Sequence, residues 1–177
     1  MTNSKRIIIT GFMGCGKTTV GEALANRLNC DMIDLDSFIT KHESRTPAEI
    51  IEQDGEAAFR DIETRRLRHL LEKTDARVIA LGGGTWTIET NQELVTRSGG
   101  LTIWLDAPFE LCWQRIQAIS ISGGRVRPLA PDREFARGLY ERRRASYELA
   151  AFKVNLDGNE DADTVAAQIQ TRIESME

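Results

Sequence analysis

One stretch, Gly11-Phe12-Met13-Gly14-Cys15-Gly16-Lys17-Thr18-Thr19, constrains the fold of this chain more than any other. It fits the pattern G-x-x-x-x-G-K-[ST] and carries an additional glycine, Gly14. The context also fits: an apolar β-branched run, Ile7 to Thr10, precedes it, and a segment of helical period, Lys17 to Leu28, follows. A strand that delivers such a loop to a helix N-terminus lets successive backbone N–H groups and the positive end of the helix converge on phosphate oxygens. Lys17 would then reach the β- and γ-phosphates as a point charge, and the Thr18 hydroxyl would turn to Mg²⁺. Nucleoside triphosphate binding is the first expectation.

The rest of the chain repeats that alternation. Short apolar runs at Met32 to Asp34, Val78 to Leu81, Leu101 to Leu105 and Phe152 to Leu156 read as further strands, buried on both faces. Helical segments are expected at Pro47 to Gln53, Glu56 to Leu71, Asn91 to Arg97, Pro108 to Ile116, Asp132 to Leu149 and Ala162 to Ser175. Thr46-Pro47-Ala48-Glu49 marks one start by a capping hydroxyl, a proline at the first helical position and a glutamate placed to return the cap. Ala118 to Pro131, with serines, glycines, arginines and prolines in place of a period, reads as a loop. The expectation is an α/β fold: one three-layer αβα domain over residues 1–177 around a central five-stranded parallel sheet.

Charge and cysteine content narrow the class. Lys plus Arg is 23 and Asp plus Glu is 27, a net −4 that argues against bulk attraction to nucleic acid or anionic lipid. Cys15, Cys30 and Cys112 are odd in number and widely spaced, which supports neither a disulfide framework nor a zinc site. No uncharged apolar stretch nears the roughly 18 residues of a membrane helix. A cytoplasmic protein without a membrane or nucleic-acid partner is expected.

Chemistry beyond the triphosphate concentrates at the carboxyl ends of the other strands, where an open parallel sheet binds its ligands. Asp34-Leu35-Asp36 ends the second strand; if both residues are extended, the two carboxylates share a side. One would hold hydrated Mg²⁺ and the other would orient an attacking hydroxyl or take its proton, while a helix N-cap at Asp36 is the plainer alternative. Asp106, at the end of the fourth strand, competes for the metal. Gly82-Gly83-Gly84 follows the third strand and admits either a sharp turn or a substrate against bare backbone. Arg60 and Glu63, at i and i+3, would by themselves be a surface ion pair. Between Arg125 and Arg144 there are seven arginines against three acids, a density suited to small anions. The guanine-reading pattern Asn-Lys-x-Asp is absent, so a compact kinase is favoured over a switch GTPase.

Together these residues resemble the shikimate kinases, a family of phosphate-loop kinases related to the nucleoside monophosphate kinases. The resemblance runs through Gly11 to Thr19, Asp34-Leu35-Asp36, Asp54 to Glu63, Gly82-Gly83-Gly84, Arg127-Pro128-Leu129 and Arg143 to Tyr147. It implies transfer of the γ-phosphoryl of ATP to the 3-hydroxyl of shikimate, in chorismate and aromatic amino-acid biosynthesis. Gly14, Cys15, Gly16, Lys17, Thr18 and Thr19 would bind the nucleotide, and Thr18 with Asp34 would serve Mg²⁺. Asp36 would hold the acceptor hydroxyls and be the candidate base. Arg60 and Arg143 would clamp the carboxylate, with Glu63 positioning Arg60 and Gly82, Gly83 and Gly84 lining the acceptor. Arg127 would close over the phosphates from a lid at about 118–131, and residues of about 35–63 would form an acceptor-binding subdomain. A monomer is the family expectation.

Three features depart from the family pattern. Ala145 stands where proline is usual, which leaves Arg143 or Arg144 as the clamp, with the spacing to Tyr147 favouring Arg143. The segment between Arg115 and Arg127 is longer than the usual lid, and Trp86 replaces a small aliphatic residue. Gluconate kinase-like and nucleotide kinase activities, or a non-catalytic nucleotide-binding regulator, are the alternatives.

Overall fold

In this computed structural model, which describes residues 5–121 and 131–176 apart from the side chains of Ser120 and Ile121, strands and helices alternate throughout. The strands are β1 (Ile7–Thr10), β2 (Met32–Asp34), β3 (Val78–Ala80), β4 (Leu101–Asp106) and β5 (Phe152–Asn155). The helices are α1 (Lys17–Leu28), α2 (Leu35–Glu43), α3 (Pro47–Asp54), α4 (Glu56–Lys73), α5 (Glu89–Arg97), α6 (Phe109–Ile121), α7 (Arg133–Tyr147) and α8 (Ala162–Glu174), with a 3-10 turn at Thr85–Thr87.

All strand pairs are parallel, in the order β2-β3-β1-β4-β5. β1 lies at the centre, and Ile7, Ile8 and Ile9 are fully buried, as an apolar run without alternation requires. The chain leaves β1 for the edge strand β2, returns through β3 beside β1, and then crosses to β4 on the other side of β1, so a crevice opens at the carboxyl end of β1. α1 covers β1, β2 and β3 with α8 packed beside it, while α4 packs against α2, α3 and α5. Arg6 ties the amino end of β1 to the end of α4 by donating to the carbonyls of Leu71, Thr74 and Ala76.

Several boundaries differ from the sequence expectation. The capping box forms as expected: Thr46 Oγ1 accepts from Glu49 N at 3.2 Å, and Glu49 Oε2 accepts from Thr46 N at 2.6 Å. α6 continues to Ile121, so residues 118–121 are helical where a loop was expected; residues 122–130 lie outside the described residues. β5 alternates buried and exposed residues, because it is an edge strand and Lys153 and Asn155 face outward. α2 is absent from the expected helices, where a helix capped by Asp36 stood only as the alternative, and it changes how Asp34 and Asp36 are placed.

Candidate functional site

The phosphate loop bends where its glycines allow. Gly11, Gly14 and Gly16 have φ of 143°, 79° and 103°, values that a side chain would strain. Gly14 is also pressed against α6, since a Cβ there would lie 2.6 Å from the Cys112 carbonyl oxygen. Lys17 Nζ donates to the carbonyls of Gly11 and Phe12, both at 2.9 Å, which holds the ammonium over the loop. Arg115 of α6 donates to the carbonyls of Gly14 and Cys15 at 3.3 and 3.2 Å. Cys15 of the loop and Cys112 of α6 are both buried; burial, with the neighbouring Cys15, pushes the Cys112 thiol up to about 12, so it stays protonated.

Asp34 and Asp36 do not share an extended strand. β2 ends at Asp34 and α2 begins at Leu35, so Asp36 sits in the first helical turn. The N-cap is therefore Asp34, whose Oδ1 accepts from Ser37 N at 2.9 Å. Its Oδ2 accepts from Thr18 Oγ1 at 2.7 Å. This pairs a hydroxyl and a carboxylate at the mouth of the loop, hard oxygen donors of the kind Mg²⁺ prefers. No group of three or more His, Cys, Asp or Glu gathers as a metal site among the described residues. A magnesium ion here would accordingly rely on phosphate oxygens and water for its remaining ligands, its usual habit in nucleotide sites. Asp106 is not available to compete: Arg144 Nη1 and Nη2 grip its two oxygens at 2.7 and 3.1 Å, and Lys153 lies 3.6 Å away.

A cleft of about 600 Å³ is lined by residues 13–19, Asp34, Asp36, Gly82 and Gly83. The triple glycine adopts no positive φ; it is needed for close approach. A Cβ at Gly82 would lie 2.9 Å from Thr85 Oγ1 and 3.0 Å from both Asp36 Oδ1 and Glu63 Oε1. At Gly83 it would lie 3.5 Å from Arg143 Nη1, and at Gly84 only 2.5 Å from Arg60 Nη2. Gly82–Gly84 thus forms the surface on which Asp36, Glu63, Arg60 and Arg143 meet.

Arg60 and Glu63 are not a surface pair. Arg60 Nη1 donates to Glu63 Oε2 at 2.8 Å, and the Glu63 side chain is 1% exposed. Burial alone would lower the Arg60 pKa, but the charge and hydrogen bond of Glu63, joined by those of Glu56, raise it instead. Arg143 is buried, and that burial, together with the nearby charge of Arg60, lowers its pKa against the opposing pull of Tyr147. Among the described residues Arg143 makes no salt bridge, so a buried cation sits beside a second one with no acid of its own. Such a charge would be stabilised by an anion brought beside Gly83. Burial also pushes the Tyr147 phenol up, and its hydroxyl donates to the Gly83 carbonyl.

The arginine-rich segment is less concentrated on the cleft than its composition suggests. Arg133 and Arg137 pair with Glu110 on the outer face of α6 and α7, Arg142 is exposed, and Arg144 holds Asp106. Arg127 lies outside the described residues, as does Arg125. Trp86 is buried in the hydrophobic core.

Sequence reasoning missed one wall. The cleft is also lined by Ala118 and Ile119 of α6, and by Leu156, Gly158, Glu160, Ala162 and Val165 around the start of α8. A largely apolar wall of this kind suits a planar base. Asp157-Gly158-Asn159, a turn with Gly158 at φ 94°, lies at the carboxyl end of β5 and was the available signal.

The shikimate kinase family model matches residues 13–174 of this chain. A shikimate kinase from Ruegeria pomeroyi is 36% identical over 180 residues, covering 98% of this chain and 89% of that protein. The solved shikimate kinase from Acinetobacter baumannii, in complex with shikimate, superposes with a TM-score of 0.89 at 32% identity, covering 99% of this chain and 96% of the other. That from Aquifex aeolicus gives 0.77 at 33% identity, with 96% of each chain covered. With the family model matched over most of its length and relatives above 30% identity, the chain belongs to the shikimate kinase family.

Proposed function

We propose that this chain transfers the γ-phosphoryl group of ATP to the 3-hydroxyl of shikimate, giving shikimate 3-phosphate and ADP. The observation that carries the acceptor assignment is the pair Arg60 and Arg143 beside the triple glycine, with Arg143 buried and, among the described residues, in no salt bridge. Two guanidiniums there suit a carboxylate, which each can meet through charge-assisted hydrogen bonds.

The geometry supports the following division of labour. The backbone N–H groups of residues 14–19 and the Lys17 ammonium bind and orient the phosphates. Thr18, with Asp34 acting through water, would hold Mg²⁺, which neutralises charge on the β- and γ-phosphates. Asp36, with one carboxylate oxygen at Gly82 and the phosphate loop on the other side of the same cleft, holds the attacking hydroxyl in line. Phosphoryl transfer passes through a loose transition state, so placement and electrostatics supply most of the catalysis and a strong base is not needed. Arg127 is assigned to the phosphates by the family resemblance. Glu63 keeps Arg60 aimed, and the peptides of Gly82, Gly83 and Gly84 border the acceptor.

The same reading makes residues 1–177 one kinase domain, with about 35–63 as the acceptor-binding part and about 118–131 as the lid, of which 122–130 lie outside the described residues. A monomer is the family expectation for the acting unit. Its free cysteines fit a reducing cytoplasm, and no nucleic-acid or membrane partner is needed. No helix among the described residues is long and apolar enough to cross a membrane.

An assay of ADP release with shikimate, gluconate and nucleoside monophosphates under one set of conditions tests the assignment. Turnover is expected with shikimate alone. ADP release with gluconate or a nucleotide, and none with shikimate, rejects it.

A further inference from the structure

Thr85 has no part in the assignments made so far, yet it occupies a decisive place. It is the first residue after the triple glycine, it is fully buried, and it opens the 3-10 turn by donating its N–H to the Gly82 carbonyl at 3.1 Å. Its hydroxyl donates to Glu63 Oε1 at 2.6 Å. The other oxygen of that carboxylate takes the Arg60 hydrogen bond at 2.8 Å. From the far side, Asn91 Nδ2 of α5 donates to the Thr85 carbonyl at 3.0 Å, and Asn91 is itself fully buried.

A continuous relay therefore runs from α5 through Asn91, Thr85 and Glu63 to the Arg60 guanidinium over Gly84. A threonine hydroxyl has a single proton, and here it goes to Glu63. With one oxygen held by Thr85 and the other by Arg60, the Glu63 carboxylate has a fixed plane, and this sets the direction in which Arg60 extends. The space is tight: Thr85 Oγ1, Glu63 Oε1 and Asp36 Oδ1 all lie within 3.0 Å of the point where a side chain on Gly82 would begin. Without the Thr85 proton, Glu63 Oε1 would be a buried acceptor beside a second carboxylate, with no donor, and the carboxylate would turn away to find one.

We propose that Thr85 is a positioning residue for the acceptor's carboxylate: through Glu63 it aims Arg60, and so it sets affinity for the acid group of the substrate without touching it. The inference rests on the reading of Arg60 as a carboxylate clamp.

Steady-state kinetics of Thr85→Val, which removes the hydroxyl at nearly constant volume, test it. The KM for shikimate should rise about tenfold, as for loss of a buried hydrogen bond, with kcat and the KM for ATP little changed. Thr85→Ser, which keeps the hydroxyl, should restore the wild-type KM. In an Arg60→Ala background the Thr85→Val change should add nothing, because the group it aims is gone. An unchanged shikimate KM in Thr85→Val, equal rises in both KM values, or full additivity with Arg60→Ala overturns the proposal. Should Thr85→Val not fold, Thr85→Ala removes the same hydroxyl and decides by the same criteria. Failure of the wild type to phosphorylate shikimate removes the functional reading and the relay together, whereas normal wild-type turnover with an insensitive Thr85→Val removes the relay alone.

Discussion

Arg144 grips both oxygens of Asp106, at 2.7 and 3.1 Å, and this leaves its neighbour Arg143 as the arginine that faces the triple glycine. The two adjacent residues point to opposite duties because α7 turns about 100° per residue. Arg144 also stacks over Trp104 and meets the Tyr140 hydroxyl at 2.8 Å, so it ties α7 to β4. Arg143→Ala should raise the shikimate KM by about ten- to a hundredfold, the loss expected for a charge-assisted contact, and leave the KM for ATP unchanged. Arg144→Ala should instead lower Tm, with a cost of about 1–3 kcal/mol, while the shikimate KM stays near wild type. Reversal of the two phenotypes would show the clamp assigned to the wrong arginine.

Gly84→Ala is expected to act on Arg60 alone. Gly84 has φ −105° and ψ −12°, a backbone any residue tolerates, but a new methyl would lie 2.5 Å from Arg60 Nη2. The guanidinium is the end of a flexible side chain and will move, which spares the fold and spoils the clamp. The measurement is a selective rise in shikimate KM with Tm within a few degrees of wild type. A rise in the ATP KM of the same size would contradict it.

The order of secondary structure, α2 excepted, was legible because the central strands are largely apolar runs and the other helices carry a cap or a period. The loop at Gly11–Thr19 and the triple glycine were legible because few other roles require those residues. The burial of Arg60 and Glu63 was not, since an i, i+3 pair looks the same on a solvated helix; only the packing of α4 against the turn after β3 removes water from it. The same holds for Asp34 and Asp36. A three-residue strand followed without a break by a helix leaves no periodicity to separate them, so the N-cap was sought at the wrong aspartate. Thr85 was silent because a threonine after three glycines has no distinctive signature until Glu63 is brought to it.

Glu43 gives the fold a pH dependence with a definite sign. Burial alone would raise its pKa, but the hydrogen bond and charge of Arg66, at 2.6 Å, and then those of Arg65 outweigh that and lower it. A carboxylate whose pKa is lower folded than unfolded contributes stability above the unfolded value, and that contribution disappears as pH falls through the folded one. Wild type should therefore melt above Glu43→Gln at neutral pH, and the gap should close below about pH 4. A gap that widens on acidification would mean the pair does not form. The pair ties the end of α2 to α4, the two helices that carry Asp36 and Arg60.

Asp36→Asn tests the chemical step itself. The substitution keeps the shape and removes the charge, next to a backbone that already crowds Gly82 with a second carboxylate from Glu63. If Asp36 aligns the acceptor hydroxyl as a charged acceptor, kcat should fall by about 10²–10⁴-fold, while ATP binding, carried by the loop and Lys17, is unaffected. Equilibrium titration with a nucleotide separates the two effects, since the variant should bind ATP as the wild type does. Both alignment and proton abstraction need the ionised carboxylate, so the wild-type kcat should carry an acidic limb that the asparagine variant lacks. Near-normal turnover in Asp36→Asn would reject both roles and return the hydroxyl's placement to Arg60, Arg143 and the glycine backbone.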